Sequence, residues 1–202
     1  MCYHYKLEKT VQQIEESFEV NSPAELDEIP TLFNGFQHLD APIITHDWIS
    51  QVQFFKWGLL PFWAKDFKIQ NHTLNARVET LKEKPSFRQI VHQRCLVIAD
   101  GFFEWQWLDA KGKQKQKYLL QLPERKIFCF AGLWSKWQAK ESNQIIFSFT
   151  IITGAANELM AEIHNTKKRM PLLMEPQAGK NWLNGEEMML ANGDLEALKI
   201  NF

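Results

Sequence analysis

Between Cys95 and Thr153 the chain offers five strand candidates in succession, with no helical pattern separating them. Cys95-Leu96-Val97-Ile98-Ala99 is a continuous apolar run, as expected of a buried strand. It stops at Asp100-Gly101, and Phe102-Phe103-Glu104-Trp105 begins the next strand. Tyr118 to Leu122, Ile127 to Leu133 and Ile145 to Thr153 follow, rich in Phe and Ile. The lysine-rich span Lys111 to Lys117, with Gly112, reads as a solvated hairpin loop. Long strand runs without intervening helices favour an α+β fold with a largely antiparallel, barrel-like β core flanked by helices. A length of 202 residues fits a single domain, 1–202.

The remaining segments supply the flanking elements. Tyr3 to Leu7 reads as a short strand. Thr10-Val11-Gln12-Gln13 is a capping box that opens a helix with Val11, Ile14 and Phe18 on one face. Asn21 to Asp47, broken by Pro23, Pro30, Gly35 and Pro42, reads as loops with short extended pieces. Ile49 to Trp57 is a strand that Gly58 and Pro61 end. Trp57-Gly58-Leu59-Leu60-Pro61-Phe62-Trp63 reads as a rigid aromatic loop that presents Trp63 or packs it. Ser86-Phe87-Arg88-Gln89 is a second capping box and predicts a short amphipathic helix. Ala155 to Ile163 is expected to be helical, Leu172 to Met174 a short strand, and Trp182, Leu183 and Gly185 to Leu198 closing helices.

Composition narrows the function classes. The formal net charge is -1, so no global basic field points to nucleic acid, and phosphate binding would need a local cluster. The 8 Trp and 15 Phe are enough for some to line a groove. The 3 Cys are widely spaced with no Cys-x-x-Cys pair, as in a reduced intracellular protein. No stretch reads as a signal peptide or a membrane span, so a cytoplasmic, soluble protein is expected. There is no Gly-rich phosphate loop and no His or Cys spacing that favours a metal, although Cys2 and His4 could chelate together.

Chemistry starts at Met1-Cys2. Loss of Met1 would leave Cys2 with a free α-amine and a thiol on neighbouring carbons. Such an aminothiol condenses with an aldehyde to a Schiff base, and the thiol then closes a five-membered thiazolidine. Both groups are usable near neutrality, the amine titrating near ~7.7–8.0 and the thiol near ~8.5. Glu104 lies among Phe102, Phe103 and Trp105, where an apolar environment would suit a general acid/base. Strand alternation equally permits Glu104 to face solvent. His164 ends the predicted Ala155–Ile163 helix as either a proton carrier or a dipole partner. Arg77 and Arg169, with Lys167 and Lys168, form the plausible phosphate-binding set. Asn75 would share a face with Arg77 in an extended segment.

Taken in order, Met1-Cys2, the Trp57–Trp63 loop, Asn75-Ala76-Arg77-Val78-Glu79, Arg94 to Trp105, His164 and Arg169-Met170-Pro171 resemble the SOS-response-associated peptidase (SRAP) family. Those proteins shield abasic sites in single-stranded DNA. The resemblance implies that Cys2 forms a thiazolidine with the ring-opened abasic sugar after autocatalytic loss of Met1. It also implies that Glu104 assists ring opening and crosslink release, His164 shuttles protons, and Asn75 orients Cys2 and the sugar. Arg77, Arg169 and Lys168 would hold phosphates, and Trp57 and Trp63 would stack on or wedge beside bases. The implied partners are single-stranded DNA with abasic sites and replication-fork proteins, without membrane, metal or cofactor. A monomer in the cytoplasm, nucleoid-associated when on DNA, is expected.

Two departures from the family pattern bear on DNA contacts. The family often has Gly-Arg after the cysteine, whereas this chain has Tyr3-His4, leaving the arginine's phosphate contact absent or passed to a charged His4. The compact His-x-Arg-Met-Pro of the family is here His164-Asn165-Thr166-Lys167-Lys168-Arg169-Met170-Pro171. Two rival functions are a cysteine peptidase or amidohydrolase using Cys2, His164 and Asn75, and a non-covalent reader of single-stranded or modified DNA.

Overall fold

The computed structural model describes residues 2–139 and 143–200. In chain order the elements are β1 His4–Lys6, α1 Val11–Phe18, β2 Leu32–Asn34, β3 Asp40–Thr45 and β4 Trp48–Trp57. Then come β5 Asn75–Arg77, β6 Arg94–Ala99, β7 Gly101–Trp107, β8 Lys115–Gln121, β9 Phe128–Gln138 and β10 Ile145–Ala155. The chain closes with α2 Glu158–Ile163, β11 Arg169–Pro171, β12 Leu173–Met174, α3 Pro176–Leu183 and β13 Glu196–Ile200.

Five of these strands close into a barrel. β3 pairs antiparallel with β4 and β6, β6 with β9, and β9 with β10. The ring shuts where β10 runs parallel to β4, with Phe149 beside Trp57. A second, antiparallel sheet in the order β13-β8-β7-β1-β2 carries the N-terminal strand. The expected α+β fold with a barrel-like, largely antiparallel core is what forms.

The continuous apolar run of β6 has a direct cause. Cys95 to Ala99 are all buried, because one side fills the barrel and α3 covers the other. A Cβ on Gly179 of α3 would meet Cys129 Sγ at 2.7 Å and Leu96 Cδ1 at 3.0 Å, so this glycine permits the close approach. The Thr10 capping box forms as expected, and Ile14 and Phe18 are buried beneath α1.

Two expected helices are absent. Around Ser86 the chain makes successive turns, with Phe87 and Arg88 N–H both donating to Lys84 O at 2.9 Å. The turns that follow close three residues back, with Ile90 N–H donating to Phe87 O at 2.9 Å and Gln93 N–H to Ile90 O at 2.8 Å, in place of a continuous four-residue ladder. Gly185 to Leu198 also fails to become helical: a short 3-10 turn spans Asn192–Asp194, and β13 then adds to the edge of β8. Edge pairing with β8 supplies the backbone partners that a helix would have supplied internally. The predicted Ala155–Ile163 helix begins later, at Glu158, since β10 extends through Ala155 and Asn157 caps the helix.

Candidate active site

Cys2 is fully buried, and its position is fixed from two sides. Asn75 Nδ2 donates to the Cys2 carbonyl at 2.9 Å, and the Cys2 thiol points at His4 O at 3.8 Å. Asn75 reaches it because β5 pairs parallel with β10, in register Ile151 with Asn75 and Thr153 with Arg77. Burial, and then the charge of Glu104, push the Cys2 thiol far above its usual range. It is therefore a neutral thiol at neutral pH. Met1, whose loss the aminothiol chemistry requires, lies outside the described residues.

Glu104 does not face solvent. It is 5% exposed and shares the inner face of β7 with Phe102, opposite Tyr118 of β8. Phe103 and Trp105 take the outer face, where Lys117 Nζ sits 4.3 Å from the Phe103 ring centroid and 5.6 Å from that of Trp105. Glu104 lies within electrostatic reach of Cys2, Tyr3 and His164, since its charge acts on the ionisation of all three.

His164 is buried at the C-terminal end of α2, which packs against β7 through Gln106 Nε2 donating to Glu162 O at 3.3 Å. Burial holds the His164 imidazole below its usual range, with Glu104 acting in the opposite sense. Its Nδ1 lies 2.7 Å from Arg169 O. Arg169 N–H also approaches Nδ1, at 3.3 Å, but the shorter contact is to a carbonyl that only accepts, which assigns the proton to Nδ1 and leaves Nε2 as the basic atom.

The long link between His164 and Arg169 thus closes on itself. Lys168 N–H donates to His164 O at 2.9 Å, with Lys168 in the left-handed region at φ 47°. Asn165 clips the link to β7: its Nδ2 donates to Trp107 O at 2.9 Å, and its Oδ1 accepts from Trp107 N–H at 3.2 Å. The extra residues leave His164 and Arg169 in direct contact.

The residues expected to contact DNA divide. Arg77 is exposed and borders a groove of about 610 Å³ together with Tyr3, Asn71, His72, Asn75 and Lys84. Lys168 is exposed. Trp63 is 44% exposed and beside Phe62, its indole N–H donating to Pro85 O at 3.3 Å.

Trp57 is a correction: it cannot stack on a base. Its ring is 1% exposed inside the barrel, 5.2 Å from Tyr5 and 6.3 Å from Phe149, and its N–H donates to Leu74 O at 3.0 Å. Arg169 is committed to the protein. Nη1 and Nη2 meet the two Glu79 oxygens at 3.0 and 2.9 Å, and Nη2 also donates to Thr153 O at 2.7 Å. A phosphate would have to compete with Glu79 for it.

His4 is also a poor cation. Burial and Lys117 hold it below its usual range, and it lies edge-on to Trp105 at 5.1 Å. It does not replace the missing arginine as a charge at neutral pH.

Sequence reasoning missed Glu79 and Asn165 as positioning groups. Glu79 lies 90 residues from Arg169, so no local pattern marks the pair. Asn165 could have been suspected from a bond-forming amide directly after His164. Among the described residues no group of three or more His, Cys, Asp or Glu could hold a metal ion.

Comparison with known proteins identifies the relatives of this chain. Abasic site processing protein YoqW of Bacillus subtilis (strain 168) is 38% identical over 186 residues, covering 91% of this chain and 80% of YoqW. Abasic site processing protein HMCES of Gallus gallus is 31% identical over 157 residues, covering 66% of this chain and 45% of HMCES. A crystal structure of a protein from Bacteroides thetaiotaomicron superimposes with a TM-score of 0.88 at 30% identity, covering 99% of this chain and 92% of that one. The family described as SOS response associated peptidase (SRAP) matches residues 1–199. With the family match spanning almost the whole sequence, the chain belongs to the SOS response associated peptidase family.

Proposed function

We propose that this protein processes abasic sites in single-stranded DNA by capturing the ring-opened sugar as a thiazolidine on Cys2. The observation that carries the reading is a buried Cys2 whose backbone Asn75 holds and whose thiol lies within electrostatic reach of Glu104, which in turn reaches His164. Relatives named abasic site processing proteins support the substrate class.

Capture begins with hydrolysis of the Met1–Cys2 peptide bond, which consumes one water and frees the Cys2 α-amine. Glu104 takes the hemiacetal hydroxyl proton while the ring C–O bond breaks and returns it to the departing ring oxygen, giving the aldehyde and a free sugar hydroxyl with the carboxylate regenerated. The neutral amine adds to the aldehyde, and His164 Nε2 relays protons so that water departs and an imine remains. The thiol then adds across the imine: the sulfur–carbon bond forms, and the thiol proton ends on nitrogen. One water is released overall from aldehyde and aminothiol. A thiol kept neutral by burial suits this sequence, since the amine attacks first and the thiol is used only once the imine is beside it. Asn75 fixes the cysteine backbone throughout.

The test is the intact mass of the purified protein before and after incubation with an oligonucleotide holding one abasic site. The expected result is loss of Met1 followed by a protein–DNA adduct lighter than the sum of its parts by one water, absent in Cys2→Ala. Processed protein that forms no adduct, or that cleaves peptides or amides instead, overturns the reading.

A further inference from the structure

Tyr3 replaces the family's usual glycine beside the reactive cysteine, and it does not stand alone. Its ring lies 5.0 Å from that of Phe36, tilted by 35°. Phe36 is 52% exposed, although large aromatic rings are normally covered. The turn that carries it is held at several points. Gly35 N–H donates to Tyr3 O at 2.9 Å, and Phe36 N–H to Asn34 Oδ1 at 3.1 Å. His38 then ties the turn to the barrel, its ring nitrogens lying 2.8 Å from Trp57 O and 3.1 Å from Asn71 Oδ1. A Cβ on Gly35 would meet Leu74 side-chain carbons at 3.2 Å, so the glycine lets the turn sit close to the barrel.

Resting on the capture reading above, we propose that Tyr3 and Phe36 form a stacking platform for the one base adjacent to the abasic sugar. An abasic nucleotide brings no base of its own, so its stacking energy has to come from a neighbour. Tyr3 follows Cys2 directly and borders the same groove as Asn75 and Arg77, which makes the platform continuous with the site. Its exposed part is Phe36, and a base has a π-face whatever its identity. Where the family pattern places an arginine, this chain has His4, whose imidazole is held below its usual range by burial and by Lys117. Aromatic stacking here supplies register by a route that depends little on salt.

The test uses non-covalent binding, so it does not depend on crosslinking. Oligonucleotides carry a central tetrahydrofuran spacer, which cannot open to an aldehyde, flanked by natural bases or by a second spacer on one side or the other. Affinity is read by fluorescence anisotropy. Replacing the base on one particular side should weaken wild-type binding by roughly 5- to 10-fold, the low end of what one stacked base contributes. Phe36→Ala should weaken binding to the fully based oligonucleotide by a similar factor and be indifferent to base removal on that side. Phe36→Trp should restore both the affinity and the side preference. Because Phe36 is exposed, both variants should melt with the wild type. Equal losses for removal on either side, or a Phe36→Ala variant that keeps the side preference, would overturn the proposal. If wild-type protein forms no adduct with abasic DNA yet shows this side preference, the capture reading fails while the platform stands.

Discussion

Asn75 offers a substitution whose structural and functional effects separate. Its Nδ2 donates to Cys2 O at 2.9 Å, whereas its Oδ1 is buried with no hydrogen-bond partner among the described residues. In Asn75→Ala the first contact is lost, worth about 0.5–1.5 kcal/mol net, with an added cost if the Cys2 carbonyl stays unsatisfied. The same change removes the unsatisfied Oδ1, which itself costs about 1–3 kcal/mol when buried. These contributions have opposite signs and similar size, so the net change in stability should be within about 1 kcal/mol. At this chain length that is a melting shift of about 2–4 °C. Capture should suffer more, because Cys2 loses the side chain that anchors its backbone. We expect the first-order capture rate at saturating abasic oligonucleotide to fall at least about tenfold, or about 1.4 kcal/mol of barrier. Urea denaturation and single-turnover adduct formation measure the two quantities on one preparation. A variant that loses about 3 kcal/mol or more of stability yet captures at the wild-type rate would make Asn75 a structural peg only, and would refute the reasoning.

Other perturbations divide along the same lines. Trp57→Ala should cost about 3–5 kcal/mol in urea denaturation, because it empties a fully packed position. Trp63→Ala should leave stability within about 0.5 kcal/mol while weakening affinity for single-stranded DNA. Glu79 is held below the usual carboxylate range chiefly by its hydrogen bond to Arg169. Its contribution is therefore present above the ordinary carboxylate value of 4.5 and lost as pH falls through the lower folded value. Glu79→Gln should reduce stability by about 1 kcal/mol or less at pH 7, discounted for its exposed side, and should flatten the acid limb of the stability profile. His164 is held below 6.5 by burial, so its basic form persists to lower pH than that of a free imidazole. The acid limb that His164 contributes to the capture rate should lie below pH 6.5, and His164→Gln should remove it.

The strands were legible wherever local composition decides the outcome. β6, β9 and β10 are largely buried runs rich in Leu, Ile, Val and Phe and form close to where their pattern places them, whereas β8 begins at Lys115, inside the expected Lys111 to Lys117 loop. A barrel-like core was expected, but which strands close it was not legible, because the parallel pairing of β10 with β4 joins residues 92 positions apart and that with β5 residues 76 apart. The same limit governs the site. Cys2, Asn75, Glu104 and His164 stand out by residue type and by resemblance, yet which face of β7 Glu104 occupies is settled only by its register with β8. Trp57 and Trp63 look alike in one aromatic string. Trp57 completes the barrel strand β4, and Trp63 lies in the loop beyond Gly58, which takes the left-handed φ of 113°. The misread Gly185 to Leu198 segment has helix-forming residues, but the open edge of β8 captures its end as β13. Local propensity yields there to a tertiary partner.

The central claim concerns the bonds that Cys2 makes to the abasic sugar. The most direct measurement is carbon NMR of the complex formed with single-stranded DNA whose abasic sugar is labelled with carbon-13 at C1′. The account predicts a tetrahedral C1′ bonded to both sulfur and nitrogen, seen with the wild-type protein and lost in Cys2→Ala. A trigonal imine carbon at the end of the reaction, or a C1′ that remains a closed hemiacetal while the protein stays bound, would contradict it.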